Sequence, residues 1–401
     1  MLPMLSDTHK VITGGKFMRL SSSALSLATL ALGAALAGPA FARTFVYVSN
    51  AQDANIDAYL LDKGSGVLTP IGKTDAGKLV MPMAASPNKK FLYAVMRSDP
   101  FRVATYQIDP ETGALNQKAT APLPDSMPYV SVDATGRFLF TASYGGDKIA
   151  VSPIGESGLV EAAAIQIIPT GRNAHAILAD RTNRFVYVPT LGANQVLQFL
   201  LDTKTGKLTP NEPAAVQARP GDGPRHLAFA PDNKHLYVLN ELTGNVTQFS
   251  IDQAKGALTE VDSVASVLAE AGLKPGVPQA PAGTAPPAGA PKDDSPKVWA
   301  ADIQLAPNGK YLYSTERTLS KIALFSVAPA TGKLSYVTNF PTEKQPRGIK
   351  IDPSGTWLVA SGEKSDHLAV YKIDQGDGRL TEAGRYPVGK GANWVEIVEM
   401  P

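Results

Sequence analysis

The chain has no cysteine. That absence excludes thiolate metal sites, Cys nucleophiles, disulfides and a lipidated N-terminal Cys. An excess of either charge is missing too. Lys and Arg total 38 against 36 Asp and Glu, a formal net charge of +2 at pH 7. With no basic run, nucleic acid is not an expected partner. No Gly-x-Ser-x-Gly elbow occurs, so a covalent Ser or Cys route has no support. No His, Asp and Glu spacing reads as a metal site, and no cofactor is expected. One Glu with backbone carbonyls still leaves a divalent cation such as Ca²⁺ compatible with the sequence.

Long apolar runs are also absent. Leu25 to Ala37 is too short and too Ala-rich for a good membrane span. It follows Met18-Arg19 and precedes the small-x-small pattern Ala40-Phe41-Ala42. Residues 1–42 therefore read as an upstream extension and signal peptide, starting at Met18 and cleaved near Ala42. A retained anchor is the alternative. The expected location is the periplasm, where a chain without thiols cannot mispair.

What is present is a repeat of about 47 residues. Its phrase is a turn, a basic residue, an aromatic strand, a second strand ending in Asp, then "TGxL". Copies include "NRFVYVPTLGANQVLQFLLDTKTGKL" and "KHLYVLNELTGNVTQFSIDQAKGAL". The central column reads Tyr47, Tyr93, Phe140, Tyr187, Tyr237, Tyr313 and Val359. One interval is about 29 residues too long, which places a Pro/Ala-rich insertion over 263–297. Each copy holds four strand candidates, for example "HLAFA", "HLYVLN", "NVTQFSI" and "LTEVDS". Four strands at this period predict an all-β, seven-bladed propeller over 43–401. The first strand "TFVYVSN" and the last segment "GANWVEIVEM" are expected to complete one blade together and close the ring.

In such a blade, strand one starts at the face where strand two ends. Two columns of residues should therefore ring one mouth of the central channel. The first holds Asn393, Met81, Pro128, His175, Arg225, Ala301 and Arg347; the second holds Ala51, Arg97, Tyr144, Leu191, Glu241, Arg317 and Glu363. Folding requires no charge at either column, since several members are small or apolar. His175, Arg225, Glu241, Arg317, Arg347, Arg97 and Glu363 nevertheless converge there. Buried charges cost several kcal/mol unless paired, so the set is either a structural network or a site. His226, next to Arg225, is expected on the opposite sheet face. Trp299, Trp357 and Trp394 are expected in the core, and Asp302 and His367 either at the mouth or capping strands.

The stretches "GPRHLAFAPDNKHLYVLNE", "VWAADIQLAPNGKYLYSTERT" and "QPRGIKIDPSGTWLVASGEKSDHLAVY" resemble the propeller-type 6-phosphogluconolactonase family. That family is related in fold to fungal carboxymuconate cyclases. The resemblance covers most of 43–401. It implies a lactonase, a carboxylic-ester hydrolase acting on a small sugar lactone. It further implies that His175 in "NAHAIL", Arg225 in "GPRH", Glu241 in "LNEL" and Arg317 in "TERT" are catalytic. Arg347, Arg97, Glu363 and His367 are read as substrate-binding. The insertion and the leader depart from the family pattern. An exported enzyme would meet an unphosphorylated aldonolactone such as gluconolactone rather than the phosphorylated one. Either Glu241 or His175 serves as base and the other as proton donor, while Arg225 and Arg317 hold the oxyanion. A non-catalytic periplasmic propeller and a lactonising cyclase or isomerase are the competing readings. A monomer is expected.

Overall fold

A computed structural model describes residues 42–280 and 295–400. The expected leader lies outside the described residues, apart from Ala42. Seven antiparallel sheets of four strands form the seven-bladed propeller. The second strand of each blade lies between two neighbouring sheets, so both its faces are covered. Phe185–Thr190, Phe138–Ser143 and Trp357–Gly362 are accordingly buried at every position. This explains why they read as continuous apolar runs rather than alternating ones. The outermost strands face water. Leu68–Asp75 buries only its first residue fully.

The aromatic column and the "TGxL" phrase are two halves of one joint. Tyr47 Oη donates to Gly113 O of the next blade at 2.8 Å. Tyr93 reaches Gly158, Tyr187 Gly256, Tyr237 Gly332 and Tyr313 Gly378 in the same way, at 2.7–2.9 Å. The glycine is needed because Gly113 has φ +72° and a Cβ there would lie 2.4 Å from Phe45. The Val359 copy has no hydroxyl to donate. Its joint uses Trp357, which covers Gly66 and donates from Nε1 to Lys63 O at 2.9 Å. This joint seals the last blade against the first. The first blade is closed by Ala392–Glu399 pairing antiparallel with Thr44–Asn50, as the termini predict.

The inner strands carry the feature that makes the site. Where Pro224–Phe229 pairs with His235–Asn240, the register slips between Pro224 and His226, leaving Arg225 as the extra residue. The same slip occurs at Arg347, between Pro346 and Gly348. It recurs between Ala300 and Ile303, between Val80 and Met83, and at Asn393. A bulge interrupts strict alternation and re-aims a side chain. Two consecutive residues of such a strand can then face the channel.

The insertion begins later than 263–297 predicts. The outer strand of the fifth blade, Leu258–Ala265, continues its pairing up to Asn245↔Ala265, so residues 263–265 belong to the blade. Beyond it come a 3₁₀ turn at Ala269–Ala271 and a strap at 274–280. Gly276 N–H donates to Leu242 O at 2.7 Å, and Lys274 bridges Lys297 in parallel.

Candidate active site

Glu241 is the first residue past its second strand, and it is 3% exposed. Its backbone is fixed on both sides: its N–H donates to Gly223 O at 2.8 Å, and its carbonyl accepts from Ala300 N–H at 3.1 Å. The carboxylate accepts from Arg225 Nε at 2.6 Å and from Trp299 Nε1 at 3.0 Å, and it lies 3.2 Å from an Arg317 guanidinium nitrogen. Burial pushes the Glu241 carboxyl up, but Arg317, Arg225 and Arg347 outweigh it and hold the group below its ordinary range. Glu241 is therefore a fixed, ionised anchor.

Arg317 is held over the Trp299 ring, 3.8 Å from its centroid, and donates to Trp299 O and Ala300 O at 3.1 Å each. Burial pushes its guanidinium down to about 9, with Glu241 opposing. Arg225 lies deeper. It is 1% exposed, and its Nε donates to Glu241 and its Nη1 to Ala301 O. It stands beside the carboxylate that it pairs with, one layer below the cavity wall.

The cavity at the mouth has a volume of about 200 Å³. Its wall includes His175, Glu241, Arg317, Arg97, Arg347 and Trp299, with Tyr144, Pro128, Gln279 and Ala280. Pockets for drug-sized ligands run to roughly 300–1,000 Å³, so this space suits a single-ring ligand. Gln279 arrives from the strap, where its carbonyl accepts from Tyr144 Oη at 2.9 Å. His175 is 5% exposed and packs edge-on against Tyr144. Burial, then Arg225, His226 and Arg347, hold its imidazole well below the ordinary value. It is neutral at pH 7, and its Nδ1 has no hydrogen-bond partner among the described residues.

Arg97 donates to Ser126 Oγ at 3.1 Å and to Met81 Sδ. Burial and the neighbouring Arg347 push it down to about 9. No carboxylate of the described residues lies within ion-pair distance of it. Arg347 pairs with Glu363 at 3.1 Å. Glu363 thus pairs with Arg347 from the neighbouring open groove rather than from within the cavity.

His367 is not in the mouth. It begins the third strand of its blade, pairs with Asp366 at 2.6 Å and is half exposed. It lines a separate, open groove of about 690 Å³ with Glu343, Lys344, Arg385 and Lys390. The expectation of a substrate contact is corrected because the mouth takes the end of strand two, not the start of strand three. His226 is corrected in the opposite sense. The bulge at Arg225 turns it inward, where its ring meets His175 at 5.2 Å and Tyr129 and Trp394 edge-on. Trp394 packs against the core with part of its surface and meets His226 and Tyr129 with the rest, and Trp299 carries the Glu241–Arg317 contact. Trp357 is the fully buried core Trp.

Residues 45–397 match the profile of the lactonase, 7-bladed β-propeller family. The chain belongs to that family. It is 40% identical over 355 residues to the 6-phosphogluconolactonase of Erwinia tasmaniensis, covering 88% of this chain and 98% of the relative. The Serratia proteamaculans 6-phosphogluconolactonase is 39% identical, covering 89% and 99%. Among solved structures, the Pseudomonas aeruginosa periplasmic gluconolactonase superposes with a TM-score of 0.76 at 23% identity, covering 90% of this chain and all of that one. At that identity it supports the lactonase propeller fold alone. Among the described residues, no three His, Asp or Glu side chains gather as a metal would need, and no helix is long and apolar enough to cross a membrane.

Proposed function

We propose that this lactonase-family propeller hydrolyses a sugar lactone to its hydroxy acid. The observation that carries this reading is a neutral His175 facing the locked Glu241–Arg317 pair across a cavity sized for one ring. His175 is the base, because Glu241 is held low and fully paired. His175 Nε2 takes a proton from water as the water oxygen bonds to the lactone carbonyl carbon. The carbonyl oxygen becomes an oxyanion, which Arg317 and Arg347 stabilise. Collapse breaks the ring C–O bond, and the leaving alkoxide takes the proton back from His175. Arg225 holds Glu241, and Glu241 holds Arg317, so both act by positioning. Glu363 does the same for Arg347.

The N-terminal leader supports export to the periplasm and an unphosphorylated aldonolactone as substrate. Arg97 favours a second reading. A guanidinium beside another guanidinium and without a paired carboxylate suits a ligand bearing its own anion, such as a phosphorylated lactone. Proton release from glucono-1,5-lactone and from its 6-phosphate decides between them, with EDTA added to test a cation requirement. A kcat/KM higher for the phosphate, and lowered towards the neutral lactone by Arg97→Gln, supports the second. No turnover across a lactone panel would sink the hydrolase reading and leave a binding propeller. N-terminal sequencing of the exported protein checks the leader, with a start near Arg43 expected.

A further inference from the structure

The hydrolytic steps make no use of His226 and Asp302, yet both are buried, His226 against His175 and Asp302 against His226. His226 Nδ1 lies 2.9 Å from Asp302 Oδ1. Asp302 is fixed in turn, accepting from Ile303 N–H at 2.9 Å and from Ile349 N–H at 3.0 Å. Both His226 and Asp302 sit on strands whose register slips, and this brings them to the channel. An ionised carboxylate only accepts, so the His226 proton is on Nδ1 and its Nε2 is a lone pair. That Nε2 is buried without a partner among the described residues, and so is His175 Nδ1.

The two orphaned nitrogens belong to rings whose centres are 5.2 Å apart. A linear N–H···N bond of about 2.9 Å between two imidazoles places their centres about 5.2 Å apart. With His226 held by Asp302, rotation of the His175 ring about its soft terminal torsion is the movement that forms this bond. Forming it satisfies two buried polar groups at once.

We propose that His175 Nδ1–H donates to His226 Nε2 in the working enzyme, so that Asp302 and His226 set the tautomer of His175. This rests on the reading of His175 as the base. With Nδ1 protonated, the lone pair of His175 is on Nε2, towards the lactone. His226 and Asp302 are positioning residues; neither gains or loses a proton in turnover. Arg225 and Arg347 face both histidines and oppose the imidazolium that forms on His175. Asp302 supplies the opposite charge through His226. Tyr144 packs on His175, Tyr129 and Trp394 pack on His226, and Glu396 with Lys350 lies beyond Asp302.

The chain has five histidines, so ¹⁵N-imidazole NMR of the whole protein can resolve them. In the wild type, His175 and His226 should both be neutral at pH 7 and both protonated on Nδ1. His226→Asn keeps a donor for Asp302 but lacks Nε2. It should lower kcat roughly 10-fold or more, part of what a well-placed base supplies. KM should stay within about twofold, the acid limb of kcat should move, and His175 should become a tautomer mixture. A folded His226→Asn enzyme with wild-type kcat and pH profile would overturn the proposal. So would a wild-type spectrum with either ring protonated on Nε2. If the variant does not fold, the wild-type tautomers decide alone. If the wild type opens no lactone, the hydrolase reading fails while the tautomers still decide the His175–His226 bond.

Discussion

At Glu241 the carboxylate meets two guanidiniums and an indole N–H, all buried. Glu241→Gln leaves Arg225 and Arg317 without their counter-charge. Removing one partner of a buried pair costs about 3–5 kcal/mol. The variant should lose activity and also unfold at clearly lower temperature, which calorimetry would show. His175→Gln should behave differently. His175 carries no ion pair among the described residues, so its loss should lower the melting temperature less than that of Glu241 while kcat falls roughly 10²–10⁴-fold. Titration gives a further expectation. Burial and then Arg225 push His226 down to about 4, and His175 also lies well below the ordinary value. In the unfolded chain both bind protons near pH 6.5, so the unfolded state gains protons that the native state does not. Stability should therefore fall as pH drops below about 6.5 and keep falling to about 4, with His226 accounting for about 3 kcal/mol. Urea unfolding at pH 7 and pH 5 checks the sign. The acid limb of kcat/KM should likewise lie below 6.5.

At the level of the strand, alternation decides what a sequence can show. The mouth columns were legible because strands one and two meet there in every copy, and in-phase copies reveal which positions carry charge without structural need. Arg225, Glu241, Arg317, Arg347 and Arg97 came from that comparison. The neighbours of the first column were not legible. Period-two alternation sends His226 and Trp394 to the other face, and a single extra residue per strand reverses this. Nothing in "GPRHLAF" marks the slip, because it depends on pairing with the adjacent strand. His367 was misplaced for a related reason: it shares a groove with Glu363, but that groove is separate from the mouth cavity that Arg347 lines. The blade joints make their own prediction. Gly113→Ala combines a left-handed φ with a Cβ 2.4 Å from Phe45. It should destabilise the fold by about 2–4 kcal/mol, read by urea unfolding, with kinetics at the distant mouth unchanged.

Across the whole molecule, the ring is held by one set of joints repeated around a circle and by one blade built from both ends of the chain. The count of seven and the closure were both readable from the period and from the half-repeats at the termini. The start of the insertion was not, since Leu258–Ala265 runs three residues into it. Ending the chain after Lys390 removes Ala392–Glu399, the inner strand of the first blade. It exposes the edge of Thr44–Asn50 along a wall that is otherwise buried. That truncated chain should aggregate on expression, and separately added peptide 391–401 should restore some soluble protein, measured by size-exclusion chromatography.

The closing strand Ala392–Glu399 therefore supplies more than a seal. Trp394, on that strand, touches His226 and Tyr129 at the centre of the channel. Without this strand the chain keeps Arg225, Glu241 and Arg317, but His226 loses the indole packed against its ring. Closing the ring and walling the buried surroundings of His226 are thus one and the same packing event.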